Sequence, residues 1–207
     1  MIEDTSGSLT PERLRTLAPA LQAEVGPDVP LGLHTHNLAG LGQSLYIEAA
    51  RLGIDNIYTC ISPIADGNAP PSIQTTARNL RHYGFEISVD DALLGEISSH
   101  FEDVAMRSGH PLGHPQDFDA ASLDHQIPGG VMSNLVSQLE AAGLSEKLPA
   151  VLEECGRSRA ETGWPIMVTP FSQFVGVQAT LNVLTGSRYT QVPDEMKKYA
   201  LGYYGCL

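Results

Sequence analysis

The sequence predicts an α/β protein whose first part is built on parallel strands and whose second part is all helix. Residues 1–83 alternate strand-like and helix-like apolar runs in the order β-α-β-α-β-α, the grammar of parallel α/β proteins. After Gly84 the strand-like runs stop and only helical spacing continues. A third observation gives the first part a direction. His34-Thr35-His36-Asn37 closes the apolar run 29–36, and alternation along a strand puts both imidazoles on one face with Thr35 on the other.

Met1-Ile2-Glu3-Asp4 has the look of a strand end. Thr10-Pro11-Glu12 is a helix start, with Thr10 as N-cap and Pro11 at the first helical position, and Gly26-Pro27 should stop that helix near Val25. Residues 29–36 form the next strand. Residues 38–52 carry apolar side chains at helical spacing and end at Gly53. Residues 54–61 are a buried-strand run, followed by a loop over 62–71 and a helix to about Tyr83. Residues 89–108 then predict a helix capped by Asp90 or Asp91. Prolines break 109–119 into a loop, and further helices are expected at 130–142, 145–162, 170–184 and 194–203. Thr169-Pro170 repeats the N-cap and proline signal, and Gly186 closes that helix. The chain therefore divides near residue 85, into 1–84 and 85–207. Three parallel strands cannot close a barrel and are few even for an open sheet. The missing strands should come from another chain, or the sequence is a fragment of a longer one.

Composition removes several classes of function. The 207 residues are 42% hydrophobic and 17% charged, ordinary for a globular protein. No apolar run approaches membrane-spanning length, and Met1–Pro11 has neither the basic start nor the apolar block of a signal peptide. Twenty-four acidic against 12 basic residues give −12, which argues against nucleic acid as a partner. Cys60, Cys155 and Cys206 are odd in number and widely spaced. They suit reduced thiols in a cytoplasmic protein, with Cys60 as a small core residue.

Chemistry is expected at the strand ends, where parallel α/β enzymes place it. The first strand supplies Glu3 and Asp4, the second His34, His36 and Asn37, the third the loop Asp66-Gly67-Asn68-Ala69-Pro70. Imidazole beside carboxylate or amide oxygen suits a divalent ion such as Mn²⁺, Zn²⁺, Co²⁺, Fe²⁺ or Mg²⁺. His34 and His36 are the expected metal ligands. Glu3, Asp4 and Asn68 are candidate catalytic residues around them, although each alone would pass for a cap or turn residue. A Lewis acid held there can chelate a 2-oxo acid and stabilise its enolate. His110 and His114 are separated by proline-broken backbone and belong to an exposed loop. His125 should position the helix that follows it, Trp164 should pack between helices, and Tyr199, Tyr203 and Tyr204 should dock the C-terminal helix.

Several motifs resemble a known family. Glu3-Asp4-Thr5-Ser6-Gly7 with Pro11, His34-Thr35-His36-Asn37 and Gly67-Asn68-Ala69 resemble the second half of a metal-dependent pyruvate carboxyltransferase or aldolase barrel. His125-Gln126-Ile127-Pro128-Gly129-Gly130, Ser133-Asn134-Leu135 and Val168-Thr169-Pro170 resemble the conserved helical region of pyruvate carboxylase and the oxaloacetate decarboxylase α subunit. So do Ser172-Gln173, Gln178-Ala179, Asn182 to Gly186 and Arg188-Tyr189. The resemblance implies the C-terminal strands of a (β/α)₈ TIM barrel over 1–84 and a helical carboxylase domain over 85–207. It implies carboxyl transfer or decarboxylation of a pyruvate-type 2-oxo acid through a metal-bound enolate, with biotin carried on another chain. It also implies partners: a biotin carrier protein, and a chain supplying the N-terminal half-barrel or further copies of this chain.

The sequence departs from that pattern at three places. Glu3 stands where the carboxyltransferases have a carbamylated metal-ligating lysine, and, being shorter, would reach a metal only through water. Asn68 stands in place of their proton-shuttling threonine, and an amide does not titrate usefully. Asn37 replaces a common aspartate. These residues lean towards a biotin-independent aldolase or lyase of the same superfamily. A non-catalytic assembly subunit is the third reading.

Overall fold

In the computed structural model, which describes residues 1–54 and 56–205, the first strands and helices follow the expected alternation. Strand β1 (Ile2–Asp4) leads to helix α1 (Pro11–Val25), β2 (Gly32–Thr35), α2 (Gly42–Arg51), β3 (Asn56–Tyr58) and α3 (Ile73–His82). The strands form one parallel sheet in the order β1-β2-β3. Thr10 caps α1 by accepting a hydrogen bond from Arg13 N at 3.3 Å, Pro11 is its first residue, and Gly26 ends it.

The sheet has two unlike faces. Ile2 and Leu33 point to one side and join Leu14 and Ala18 of α1, Leu45, Tyr46 and Ala49 of α2, and Ile54 in a single core. Leu14, Leu33 and Leu45 are fully buried there, each contributing about 1.5–3 kcal/mol. Glu3, His34 and Tyr58 lie in register across the three strands and therefore share the opposite face.

The strands are shorter than their apolar runs. Residues 29–36 give only Gly32–Thr35, because Pro30 has no N–H to donate and Val29 remains exposed. Residues 54–61 give Asn56–Tyr58, ending ahead of a 3₁₀ turn at Ser62–Ile64; Asp55 lies outside the described residues. Helix α2 starts at Gly42 instead of residue 38, because Gly42 N donates to Asn37 Oδ1 at 2.9 Å and Gly40 takes a left-handed φ of 73°.

Helix α4 (Asp91–Ser108) begins where expected, with the Asp90 carboxylate accepting from Ala92 N and Leu93 N. The two compact units of the chain are Met1–Asp119 and Ala120–Leu207, so α4 belongs with the strands and the division falls beyond residue 85. Helix α4 packs on the 3₁₀ turn, and Arg81 holds Asp91 at 2.7 Å. The loop after it then ties back to the strand-end loops through Gly113 N to Pro63 O (2.8 Å) and Asp119 N to Ala39 O (3.3 Å). A Cβ at position 113 would sit 1.7 Å from Ala65 O, so that crossing requires glycine. His110 and His114 are exposed on this loop.

The second unit contains α5 (Ser122–His125), α6 (Gly129–Ala141), α7 (Leu148–Glu161), α8 (Phe171–Thr185) and α9 (Asp194–Ala200). Helices α6 to α9 enclose Leu135, Leu139, Val151, Cys155, Phe174, Val175, Ala179 and Met196. Thr169 does not cap α8: Pro170 itself occupies the cap position without a side-chain bond, and the helix starts at Phe171. Gly186 closes it with a φ of 66°. His125 is buried and its Nδ1 accepts from Ile127 N at 3.1 Å, fixing the turn into α6. Trp164 is 60% exposed and has a positive φ; it lies under the Arg159 guanidinium at 5.0 Å, and does not pack between helices. Tyr199 and Tyr204 contact the Phe171 ring, whereas Tyr203 is 76% exposed. Cys155 is buried and Cys60 half-buried just beyond β3; both are free thiols, and Cys206 lies outside the described residues. Among the described residues no helix is long and apolar enough to cross a membrane.

Candidate functional site at the strand ends

The C-terminal end of β1 is organised by one carboxylate. Asp4 Oδ1 accepts from Ser8 N at 3.0 Å, and Oδ2 from Leu9 N at 3.1 Å and Thr35 Oγ1 at 2.7 Å. Asp4 is buried, and these bonds occupy both of its oxygens in folding the turn 4–9 and joining it to β2. Its backbone oxygen accepts from His36 N at 3.1 Å, which brings His36 beside the first strand. Gly7 permits this approach: its φ is 65°, and a Cβ there would meet His36 O at 2.6 Å.

His34 and His36 stand together, with ring centroids 5.1 Å apart and planes inclined by 23°. Tyr58 extends the stack, 6.2 Å from His34. Glu3 Oε1 lies 3.5 Å from His34 Nδ1, a neighbour set by strand register. His34 Nε2 and His36 Nδ1 are both shut off from solvent and have no hydrogen-bond partner. Burial, aided by the neighbouring His34, holds the His36 pKa below the usual histidine value, with Asp4 and Glu3 opposing it. A neutral imidazole keeps a lone pair for a Lewis acid.

The loop after β3 closes the site from another side. Asn37 N donates to Ala69 O at 3.1 Å and its Nδ2 to Asp66 Oδ1 at 2.7 Å. Asn37 thus ties the 66–70 loop to the start of α2. Burial raises the Asp66 pKa, against the hydrogen bond from Asn37. Asn68 is exposed at the tip of this loop.

Two unpartnered imidazole nitrogens on one face fit two positions of a divalent ion's ligand set. Among the described residues no group of three or more His, Cys, Asp and Glu side chains converges to hold a metal, so any further ligands come from outside that set. The structure brings His34, His36 and Glu3 together, commits Asp4 to the turn, and places Asn68 on the exposed loop. Sequence reasoning missed Tyr58, which only register aligns with His34.

A second polar cluster lies in the helical unit. Glu154 Oε1 accepts from Asn182 Nδ2 (2.7 Å), Arg188 Nε (2.8 Å) and Ser158 Oγ (3.1 Å). Burial pushes the Glu154 pKa up, and those hydrogen bonds together outweigh it, leaving it below its ordinary value. The remaining Arg188 nitrogens grip both oxygens of Glu161 at 2.7 Å, and with Tyr189 they hold its pKa down at about 2. This ionic network is paired within itself and pins the segment after α8 to α7.

Comparison with known proteins finds carboxylases and carboxyltransferases among those this chain is similar to. Residues 123–207 match the family described as the conserved carboxylase domain. The chain is 36% identical to a pyruvate carboxylase subunit of Methanothermobacter thermautotrophicus over 99% of its own length and 36% of that protein's. It is 32% identical to the methylmalonyl-CoA carboxyltransferase 5S subunit of Propionibacterium freudenreichii, over 99% of this chain and 40% of that one. Against the 2-oxoglutarate carboxylase large subunit of Hydrogenobacter thermophilus the identity is 30%, over 98% of this chain and 31% of that one. The fold matches the carboxyl transferase domain of Rhizobium etli pyruvate carboxylase, with a TM-score of 0.86 at 22% identity, covering 98% of this chain and 35% of that one. The chain thus spans about a third to two fifths of the length of these three relatives.

Proposed function

We propose that this chain carries part of the active site of a metal-dependent carboxyltransferase or decarboxylase that acts on a pyruvate-type 2-oxo acid. The observation that carries the proposal is the His34–His36 pair, with two buried, unpartnered ring nitrogens on the sheet face opposite the helices. In a closed (β/α)₈ barrel that face points inward and the strand ends form the mouth of the site; we read β1 to β3 as consecutive strands of such a barrel. Its other strands come from outside these residues, from the same polypeptide, a partner or a further copy.

His34 and His36 would hold the ion, which supplies Lewis-acid stabilisation of the substrate's enolate. Asp4 fixes the turn that places His36. Asn37 holds the 66–70 loop over the strand ends, with Asn68 exposed towards an incoming substrate. The carboxyl group would arrive on biotin borne by a carrier chain, consistent with the carboxylase and carboxyltransferase relatives. Free cysteines and the lack of a candidate membrane helix among the described residues suit a cytoplasmic enzyme.

Glu3 and Asn68, in place of the carboxyltransferase lysine and threonine, favour a second reading: a biotin-independent aldolase or lyase. The test is metal analysis of the full-length protein, purified with any co-expressed partner. It is then assayed in parallel for carboxyl transfer between carboxybiotin and pyruvate and for cleavage of a 4-hydroxy-2-oxo acid. Stoichiometric divalent metal with carboxyl transfer supports the first reading, and cleavage alone supports the second. Absence of metal and of both activities refutes both.

A further inference from the structure

We propose that Glu3 is a positioning residue for His34: it holds the imidazole in the tautomer protonated at Nδ1 and leaves Nε2 as the metal-donating nitrogen. The inference rests on the metal reading above and concerns a residue for which the family pattern offers no role.

Backbone register puts Glu3 directly opposite His34 across β1 and β2. In-register neighbours share a face, so strand pairing sets the two side chains next to each other. Glu3 Oε1 is 3.5 Å from His34 Nδ1, and the Glu3 side chain is 43% exposed against 24% for His34. The other ring nitrogen, Nε2, is sealed from solvent and unpartnered. The two nitrogens of an imidazole diverge from the ring, so a carboxylate at Nδ1 lies on the flank away from an ion at Nε2. Glu3 is therefore not a substitute for the lysine's metal-ligating group. The 3.5 Å contact is longer than an ordinary hydrogen bond, and it sets the carboxylate where a short approach would complete a carboxylate–histidine–metal relay, in which an outer carboxylate accepts the ring N–H, fixes the tautomer and increases the ligand's basicity. His36 differs: its Nδ1 is the unpartnered nitrogen, so the two rings would present different atoms to the ion.

The test uses full-length protein with any partner it requires, selectively ¹⁵N-labelled at histidine, and compares wild type with Glu3→Ala, Glu3→Gln and His34→Gln. In the metal-free wild type, His34 (assigned by its loss in His34→Gln) should show a protonated Nδ1 and a bare Nε2. Glu3→Ala should shift that tautomer balance and weaken Co²⁺ affinity about 10- to 100-fold, the usual effect of losing an outer carboxylate partner. Glu3→Gln keeps an acceptor oxygen and should retain the tautomer with a smaller loss of affinity. A protonated Nε2 in wild type overturns the proposal, and so does an unchanged tautomer in Glu3→Ala. Equal and complete loss of Co²⁺ in both Glu3 variants, with the tautomer unmoved, would make Glu3 a direct ligand and also overturn it. If the wild type takes up no Co²⁺, the metal reading fails by itself, and the tautomer comparison still decides whether Glu3 orients His34.

Discussion

The strand-end site and the α7–α8 network are both rich in polar side chains, and they differ in how those groups are satisfied. Around Glu154 every charged group has its counterpart: Arg188 bridges Glu154 and Glu161, while Asn182 and Ser158 complete the shell. At the strand ends Asp4 and Asn37 are equally committed, but the two imidazoles beside them retain buried nitrogens without partners. Leaving a buried polar atom unpaired costs about 1–3 kcal/mol. The helical unit bears that cost as well, at Ser172 Oγ and at Gln178 Oε1 beside Asn182. What sets the strand ends apart is the kind of group left open, two stacked imidazoles with metal-donating nitrogens.

The sharpest way to break this comparison is to remove the open groups. His34→Ala with His36→Ala should abolish metal uptake, a loss exceeding the ~10–100-fold typical of outer-shell partners, while the urea unfolding midpoint changes little. Metal content that stays at the wild-type level would end the distinction. Arg188→Ala should do the reverse. It strands the Glu154 carboxylate in the helical unit and should lower stability by about 3 kcal/mol, at the low end for a buried charge losing its partner because Arg188 is partly exposed. Metal uptake should be unaffected in the protein that remains folded, as measured by urea titration alongside metal analysis.

Asp4→Asn tests whether the strand-end carboxylate belongs with the framework. Its oxygens accept two backbone N–H groups and the Thr35 hydroxyl. Losing the charge should cost about 1.5–3 kcal/mol, with metal uptake reduced only in proportion to the unfolded fraction. A fully folded Asp4→Asn protein lacking metal would move Asp4 into the chemical set.

A smaller effect distinguishes the network by pH. Glu161 is held at about 2 by the Arg188 and Tyr189 hydrogen bonds, below its ordinary 4.5. The folded form therefore binds its proton less readily than the unfolded one. The stability Glu161 contributes is present above about pH 4.5 and is lost as pH falls towards 2. Glu161→Gln should flatten that part of the stability–pH curve. The smallest expected change is Trp164→Ala: an exposed ring under one guanidinium should shift stability by no more than about 0.5–1 kcal/mol, and a larger drop would show that the ring is buried in the working assembly.

Much of this was legible in the residues because the signals are local. Thr10-Pro11 and Asp90 start helices, and Gly26 and Gly186 end them, because capping depends on a few adjacent backbone groups. Alternation alone put His34 and His36 on one face, and the structure stacks them. Where a partner distant in sequence decides, local reading went astray. The apolar run 29–36 overstates β2, because register with β1 and β3 determines which residues pair. Thr169 has the residue type of a cap, yet α8 begins beyond it. Trp164 has the composition of a core residue, but its turn directs it outwards.

By itself, then, the sequence determined the alternation of elements, the resemblance to carboxylases and the two histidines as a pair, all properties of residues near one another or of long matched motifs. Only the tertiary structure showed that Asp4 joins its turn to β2 through Thr35, that Glu3 and Tyr58 flank His34 in one row, and that α4 belongs with the strands. Those facts arise from hydrogen bonds and register between residues 24 to 80 positions apart, where chain sequence carries no spacing rule and only packing selects the neighbour.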